Sequence, residues 1–286
     1  MSDQLALLEG RGLTIPDRAA AQMSLRHIGY YRLSAYMRPF QSTDRTHKFH
    51  AGTTFDQIAT LYSFDRKLRV IFLDAIDRIE VAIRSALTES LGIKHGSHWF
   101  LDPKHFAAST NHAELLQKLK DEIGHSDPRK RAVHIAHYYE SYDVPDMPPS
   151  WMIVEAISFG SLANLVRNLN LANSKSVAWL IGLQEPALKS WCLSLSYLRN
   201  LCAHHSRIWN RVYTLKPTTI RQYDDELNPN DRTYAQAVSL KIMLNKCSGP
   251  SNWTQRLKDL IDEFPDTPID KMGFPQDWKT RTIWKS

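Results

Sequence analysis

One long run of helical periodicity constrains this chain more than any other feature. Apolar residues recur at helical spacing from Ile58 through Leu61, Leu68, Phe72, Ile79 and Ile83 to Leu91, and the run stops at Gly92. Thr54 and Gln57 stand in capping-box spacing ahead of it, which sets the start. The pattern predicts a long core helix, broken at most once. Asp65/Arg69, Asp74/Arg78 and Glu80/Arg84 are acid-then-base pairs four apart, each worth a few tenths of a kcal/mol on an exposed helix face, about 0.2–0.5. They read as a solvated side without chemistry.

The remaining chain is also helical in pattern, with few alternating runs that would argue for strands, so the fold class is all-α. Pro16 and Asp17 open a short helix to Ile28, and Gly29 separates it from a second over 30–36. Further helices are expected over 111–124, from Asp127-Pro128 to about 142, over 150–169 behind Ser150, and over 186–211, 231–247 and 251–264. Glu155 sits on an otherwise apolar stretch and is expected to be buried and paired. The prolines at 145, 148 and 149 cannot continue a helix, because proline lacks the amide donor and restricts its predecessor. Residues 144–149 therefore serve as the linker between an N-terminal helical region, 1–143, and a second helical region, 150–264. A tail over 265–286 holds Trp278 and Trp284, which favour an extended segment strapped to the surface over disorder. The three regions are also compatible with one compact domain.

Composition narrows the partner more than the fold. The 286 residues, 43% of them hydrophobic, suffice for a core without staples. Thirty-six Lys and Arg against 30 Asp and Glu leave a charge of +6, which favours a polyanion. Cys192, Cys202 and Cys247 form no C-x-x-C pair, which fits a reducing cytoplasm and argues against a zinc site. His134 and His137 have no carboxylate or cysteine at convincing spacing, so neither metal nor cofactor is expected. No leader pattern or long uncharged apolar stretch points to a membrane.

Chemistry concentrates in the 186–211 helix. Leu188, Trp191, Leu195, Leu198 and Cys202 form its apolar face, and at about 100° per residue Asn200, His204, Arg207 and Arg211 gather on the opposite side, with Arg199 at their rim. His205 projects toward the apolar side and reads as a core histidine. An imidazole that exchanges protons near neutrality, beside guanidinium forks that meet phosphate, suits cleavage of RNA by its own 2′-hydroxyl. The same residue types also make an ordinary solvated helix face.

Arg199-Asn200-Leu201-Cys202-Ala203-His204 resembles the R-x4-6-H motif of HEPN ribonucleases. It stands in an ordered series of segments that resembles the Abi-like abortive-infection family of bacteria, the AbiD and AbiF type. The series includes Ile28-Gly29-Tyr30-Tyr31-Arg32-Leu33-Ser34-Ala35-Tyr36, Leu61-Tyr62-Ser63-Phe64-Asp65-Arg66-Lys67-Leu68-Arg69, Pro149-Ser150-Trp151 and Gly273-Phe274-Pro275-Gln276-Asp277-Trp278. The resemblance implies a HEPN-like helical bundle in a protein of antiphage defence that binds RNA as substrate and, in some members, a small non-coding RNA. It also implies Arg199 and His204 as catalytic pair, Asn200 as orienting group, and a homodimer whose two motif helices share one metal-independent site. A dimer eases a geometric difficulty, since Arg199 and His204 lie about 140° apart on an ideal helix.

Beside Arg207 and Arg211, Arg129, Lys130 and Arg131 are candidate RNA-binding residues, with Tyr138, Tyr139 and Tyr142 available for stacking. They fit a basic first turn on an exposed helix equally well. Tyr30, Tyr31 and Arg32 offer another stacking platform, although adjacent tyrosines more often divide between core and interface. Two further functions stay open: a non-catalytic protein that holds a structured RNA, and a protein-interaction regulator.

Overall fold

The computed structural model describes residues 2–285, where regular structure is helical and β-type contact is limited to isolated bridges. α1 (Ser2–Gly10), α2 (Arg18–His27) and α3 (Tyr30–Met37) precede the long helix α4 (Phe55–Leu87). Asp17, rather than Pro16, starts α2 by accepting the amide of Ala20 at 2.9 Å. Gly29, at φ +91°, makes the turn into α3. The capping box before α4 is complete: Gln57 N donates to Thr54 Oγ1 and Thr54 N to Gln57 Oε1. α4 ends in a π-helical turn, Thr88–Gly92, followed by the short α5 (Ile93–His95).

Next come α6 (His112–Glu122), α7 (Val133–Ser141), α8 (Ser150–Ala156), α9 (Phe159–Asn168), α10 (Leu171–Ile181) and α11 (Glu185–Ala203). α12 (Asp224–Leu227), α13 (Thr233–Cys247) and α14 (Trp253–Glu263) complete the set. α4 packs against α2, α3, α8, α10, α11, α13 and α14, so it is the central rod of the bundle.

Three expectations need correction. The helix over 150–169 is two helices. Ser158 N and Oγ donate to Glu122, and Ser158 Oγ caps α9, so the chain breaks there. Glu155 is exposed rather than buried, on the outer side of α8. The basic run after Pro128 is a 3-10 turn, Pro128–Lys130, and α7 begins only at Val133. Within 144–149 the backbone is irregular, and buried Met147 accepts through its carbonyl from Tyr138 and bonds His98.

α13 is buried without interruption from Thr233 to Leu244, which explains its lack of an amphipathic pattern. The C-terminal segment covers it. Trp284 stacks on Trp253 at 6.3 Å between ring centroids and donates from Nε1 to Tyr234 at 3.1 Å. Trp253 in turn donates to the Ile71 carbonyl of α4 at 2.7 Å. The tail is strapped down as expected, but in short 3-10 turns rather than a fully extended path. Among the described residues no helix is long and apolar enough to cross a membrane.

Because Trp284 is fully buried in this aromatic stack, Trp284→Ala should cost about 3–5 kcal/mol, as large-to-small core changes do. Urea denaturation should show a clear drop in midpoint, and an unchanged midpoint would mean the strap is dispensable.

Candidate functional site

The apolar face of α11 is as its spacing predicts: Leu188, Trp191, Leu195, Leu198 and Cys202 are all buried. The helix nevertheless stops at Ala203, eight residues short of Arg211. His205 takes a left-handed conformation at φ +58°, and its amide donates to the Cys202 carbonyl at 3.1 Å. The Ser206 amide donates to Leu201 at 2.8 Å, which completes a Schellman cap.

The cause lies in α4. Asp65, fully buried, accepts the amides of Ile208 at 3.1 Å and Trp209 at 2.6 Å. In a continuing helix those two amides would bond the carbonyls of His204 and His205 instead. Asp65 also accepts the hydroxyl of Tyr36 at 2.5 Å and pairs with Arg69, whose guanidinium donates to Tyr36 at 3.1 Å and to the Ser206 carbonyl at 3.4 Å. Burial raises the Asp65 carboxyl above the usual aspartate range, against the opposing pull of Arg69, Tyr36 and the two amides. Burial and the Asp65 charge likewise push the Tyr36 hydroxyl above the ordinary phenol range, so it remains a donor. The supposed solvated pair is thus the anchor of the motif turn. A signal was present: Asp65 and Arg69 fall in the same stripe as Leu61, Leu68 and Phe72.

The early stop disperses the predicted polar stripe. His204 caps the helix and is exposed, as is Asn200. His205, expected in the core, is exposed as well, because the left-handed residue swings the chain out of helical register. Arg199 is half-buried, with Nη1 donating to Asn200 Oδ1 at 3.2 Å. Arg211 folds back to donate to the Arg207 carbonyl at 3.1 Å and to the Tyr197 hydroxyl at 3.2 Å. Arg207 donates to the carbonyl of Ala35 at 2.5 Å. That carbonyl is free because Pro39, four residues on, has no amide to give it. Cys202, between Arg199 and His204, is buried and its thiol is pushed up to about 12, which rules out a reactive thiolate.

His204, His205, Ser206 and Arg207 form one wall of a cleft of about 820 Å³. α3 forms the other with Tyr30, Tyr31, Arg32 and Tyr36, and Arg11, Arg38 and His47 close its ends. Among the described residues no carboxylate lines it. Arg11, Arg32, Arg38 and Arg207 make no ion pair among the described residues; scattered arginines elsewhere, Arg26, Arg45, Arg66, Arg167 and Arg221, make none either, but in the cleft four such groups line one concavity. Arg11 donates to the Tyr30 hydroxyl and Arg38 to His47 Nδ1, while the side chains of Arg32, His204 and His205 have no partner among the described residues. Four guanidinium groups in one concavity give it a positive field, which the buried Asp65 charge offsets in part at Arg207.

Arg199 and Asn200 do not line this cleft, nor does Arg211. The basic run 129–131 lies outside the cleft, and of its three side chains Arg131 is engaged with the fold. Arg129 pairs with Asp127, and Arg131 donates to the carbonyls of Gly124 and His125 while covering Tyr139. Tyr138 is buried and bonded to the Pro145 and Met147 carbonyls. Lys130 and Tyr142 remain exposed there. Arg11, Arg38 and His47 were not singled out in the sequence, since nothing in their spacing links them.

A family model described as Abi-like protein matches residues 23–210. The chain belongs to that family. No curated protein and no solved structure matches it. In this Abi-like protein the matched span takes in α3, α4, α11 and the motif turn, and so both long walls of the cleft.

The anchor can be tested directly. Asp65→Ala leaves Arg69 buried without its partner and should cost about 3–5 kcal/mol, while the double change Asp65→Ala/Arg69→Met should recover part of that loss. Urea midpoints check both, and a single variant as stable as the parent would show that Asp65 does not hold the turn.

Proposed function

We propose that this Abi-like protein acts in abortive infection by cutting RNA without a metal. The observation that carries this reading is His204, exposed on a cleft that four arginines line, where among the described residues its side chain has no partner, the arginines make no ion pair and no carboxylate lines the wall. Transphosphorylation needs a base for the 2′-hydroxyl, an acid for the leaving 5′-oxygen, and positive charge around the phosphoryl oxygens. His204 takes the 2′-hydroxyl proton as the 2′-oxygen attacks phosphorus. The P–O5′ bond breaks and the 5′-oxygen takes a proton from an imidazolium, leaving a 2′,3′-cyclic phosphate and a 5′-hydroxyl. Arg199 meets the phosphoryl charge and Asn200 orients it. Since neither lines the cleft of its own protomer, a two-fold pair of chains supplies them across an isologous interface.

The displacement of Arg199 from the cleft also favours a second reading, in which the protein holds RNA without turnover. One set of measurements separates the two. Under the first, His204→Ala abolishes cleavage and leaves RNA affinity within a few-fold, because one imidazole adds little to the phosphate attraction of the guanidinium groups around it. EDTA does not inhibit, and a deoxyribose at the cleaved position blocks the reaction. Light scattering with RNA present gives a dimer. A strict monomer that binds RNA and never cleaves it sustains the second reading; cleavage of the deoxy-substituted strand removes His204 from the chemistry.

A further inference from the structure

Tyr31 is 91% exposed, yet it sits on a helix wall directly beside Arg32 and within the cationic cleft. An aromatic ring left in water costs hydrophobic free energy that nothing in the fold recovers. Its neighbours match it in kind: among the described residues the exposed Arg32 side chain has no partner, and that of Arg38 is engaged only by His47. Aromatic faces interleaved with unneutralised guanidinium groups are what a single strand requires, a stacking surface for a base and charge for the phosphates on either side. A duplex offers the phosphates but keeps its bases stacked inward.

We infer that α3 is the strand-binding wall of the cleft, with Tyr31 stacking an unpaired base and Arg32 and Arg38 holding the flanking phosphodiesters. This rests on the reading above only for the identity of the strand as a substrate. Both contacts are to groups that RNA and DNA share, so the grip is on phosphate and base, and selectivity for RNA arises from its 2′-hydroxyl as nucleophile. A single-stranded DNA therefore occupies the cleft and inhibits.

The experiment is fluorescence anisotropy with labelled oligouridine on the full chain carrying His204→Ala, over a range of salt, with wild-type cleavage followed in parallel. Tyr31→Ala should weaken binding about 5- to 100-fold, and Tyr31→Phe should restore it. Arg32→Ala and Arg38→Ala should each reduce the slope of log affinity against log salt by about 0.7. Single-stranded DNA of matching sequence should compete within a few-fold of RNA, and a duplex far less well. All three positions lie at the surface, and circular dichroism confirms that each variant is folded. Unchanged affinity and slope in the variants, equal competition by duplex, or failure of DNA to compete would each overturn the inference. Wild-type cleavage that persists while Tyr31→Ala and Arg32→Ala bind normally would sink this assignment and spare the nuclease. Loss of binding in those variants, with no cleavage by the wild type, would do the reverse.

Discussion

The buried carboxylate of Asp65 ties together three parts of the chain that are remote in sequence. It accepts the Tyr36 hydroxyl from α3, pairs with Arg69 on its own helix, and takes the Ile208 and Trp209 amides beyond α11. A charge this deep is costly unless paired and hydrogen-bonded on every side, and here it is. The network makes the end of α11, the inner side of α3 and the middle of α4 one unit. Both walls of the cleft are therefore set by a single group that does not line it.

The electrostatics of the cleft follow from what surrounds that unit. Asp65 is the acid of that network; its oxygens face donors on the inside of the wall, and its charge offsets only Arg207 among the arginines of the cleft in part. Arg207 leans the other way, out of the turn and onto the Ala35 carbonyl left open by Pro39. A modest overall charge of +6 becomes a locally stronger field here because four arginines line one concavity that no carboxylate of the described residues lines. The Abi-like match spans both walls, so the cleft, Arg11 apart, belongs to the part of the chain that carries the family likeness.

Local rules served well where local forces decide. The Thr54 capping box, the run of α4 to Gly92, the Gly29 break and the buried face of α11 were all legible, since each depends on residues within a few turns of one another. Legibility failed where a distant group intervened. The end of α11 is dictated by a carboxylate far back in the chain, and the break at Ser158 by Glu122. An acid and a base four apart look alike whether solvated or buried; only their position in the apolar stripe marked Asp65 and Arg69 as internal. Of the candidate site, His204 and Arg207 were found and proved to share a cleft. Arg11, Arg38 and His47 were not, because a concavity assembled from separate segments has no spacing to read.

The left-handed conformation at His205 has its own consequence. That backbone position suits glycine, and an L-residue there gives up roughly 1–2 kcal/mol. His205→Gly would relax the peptide and firm up the helix end while deleting one imidazole from the cleft wall. Stability and the composition of the site pull in opposite directions at this residue, so a library sorted only for heat resistance would erode the cleft from its backbone outward.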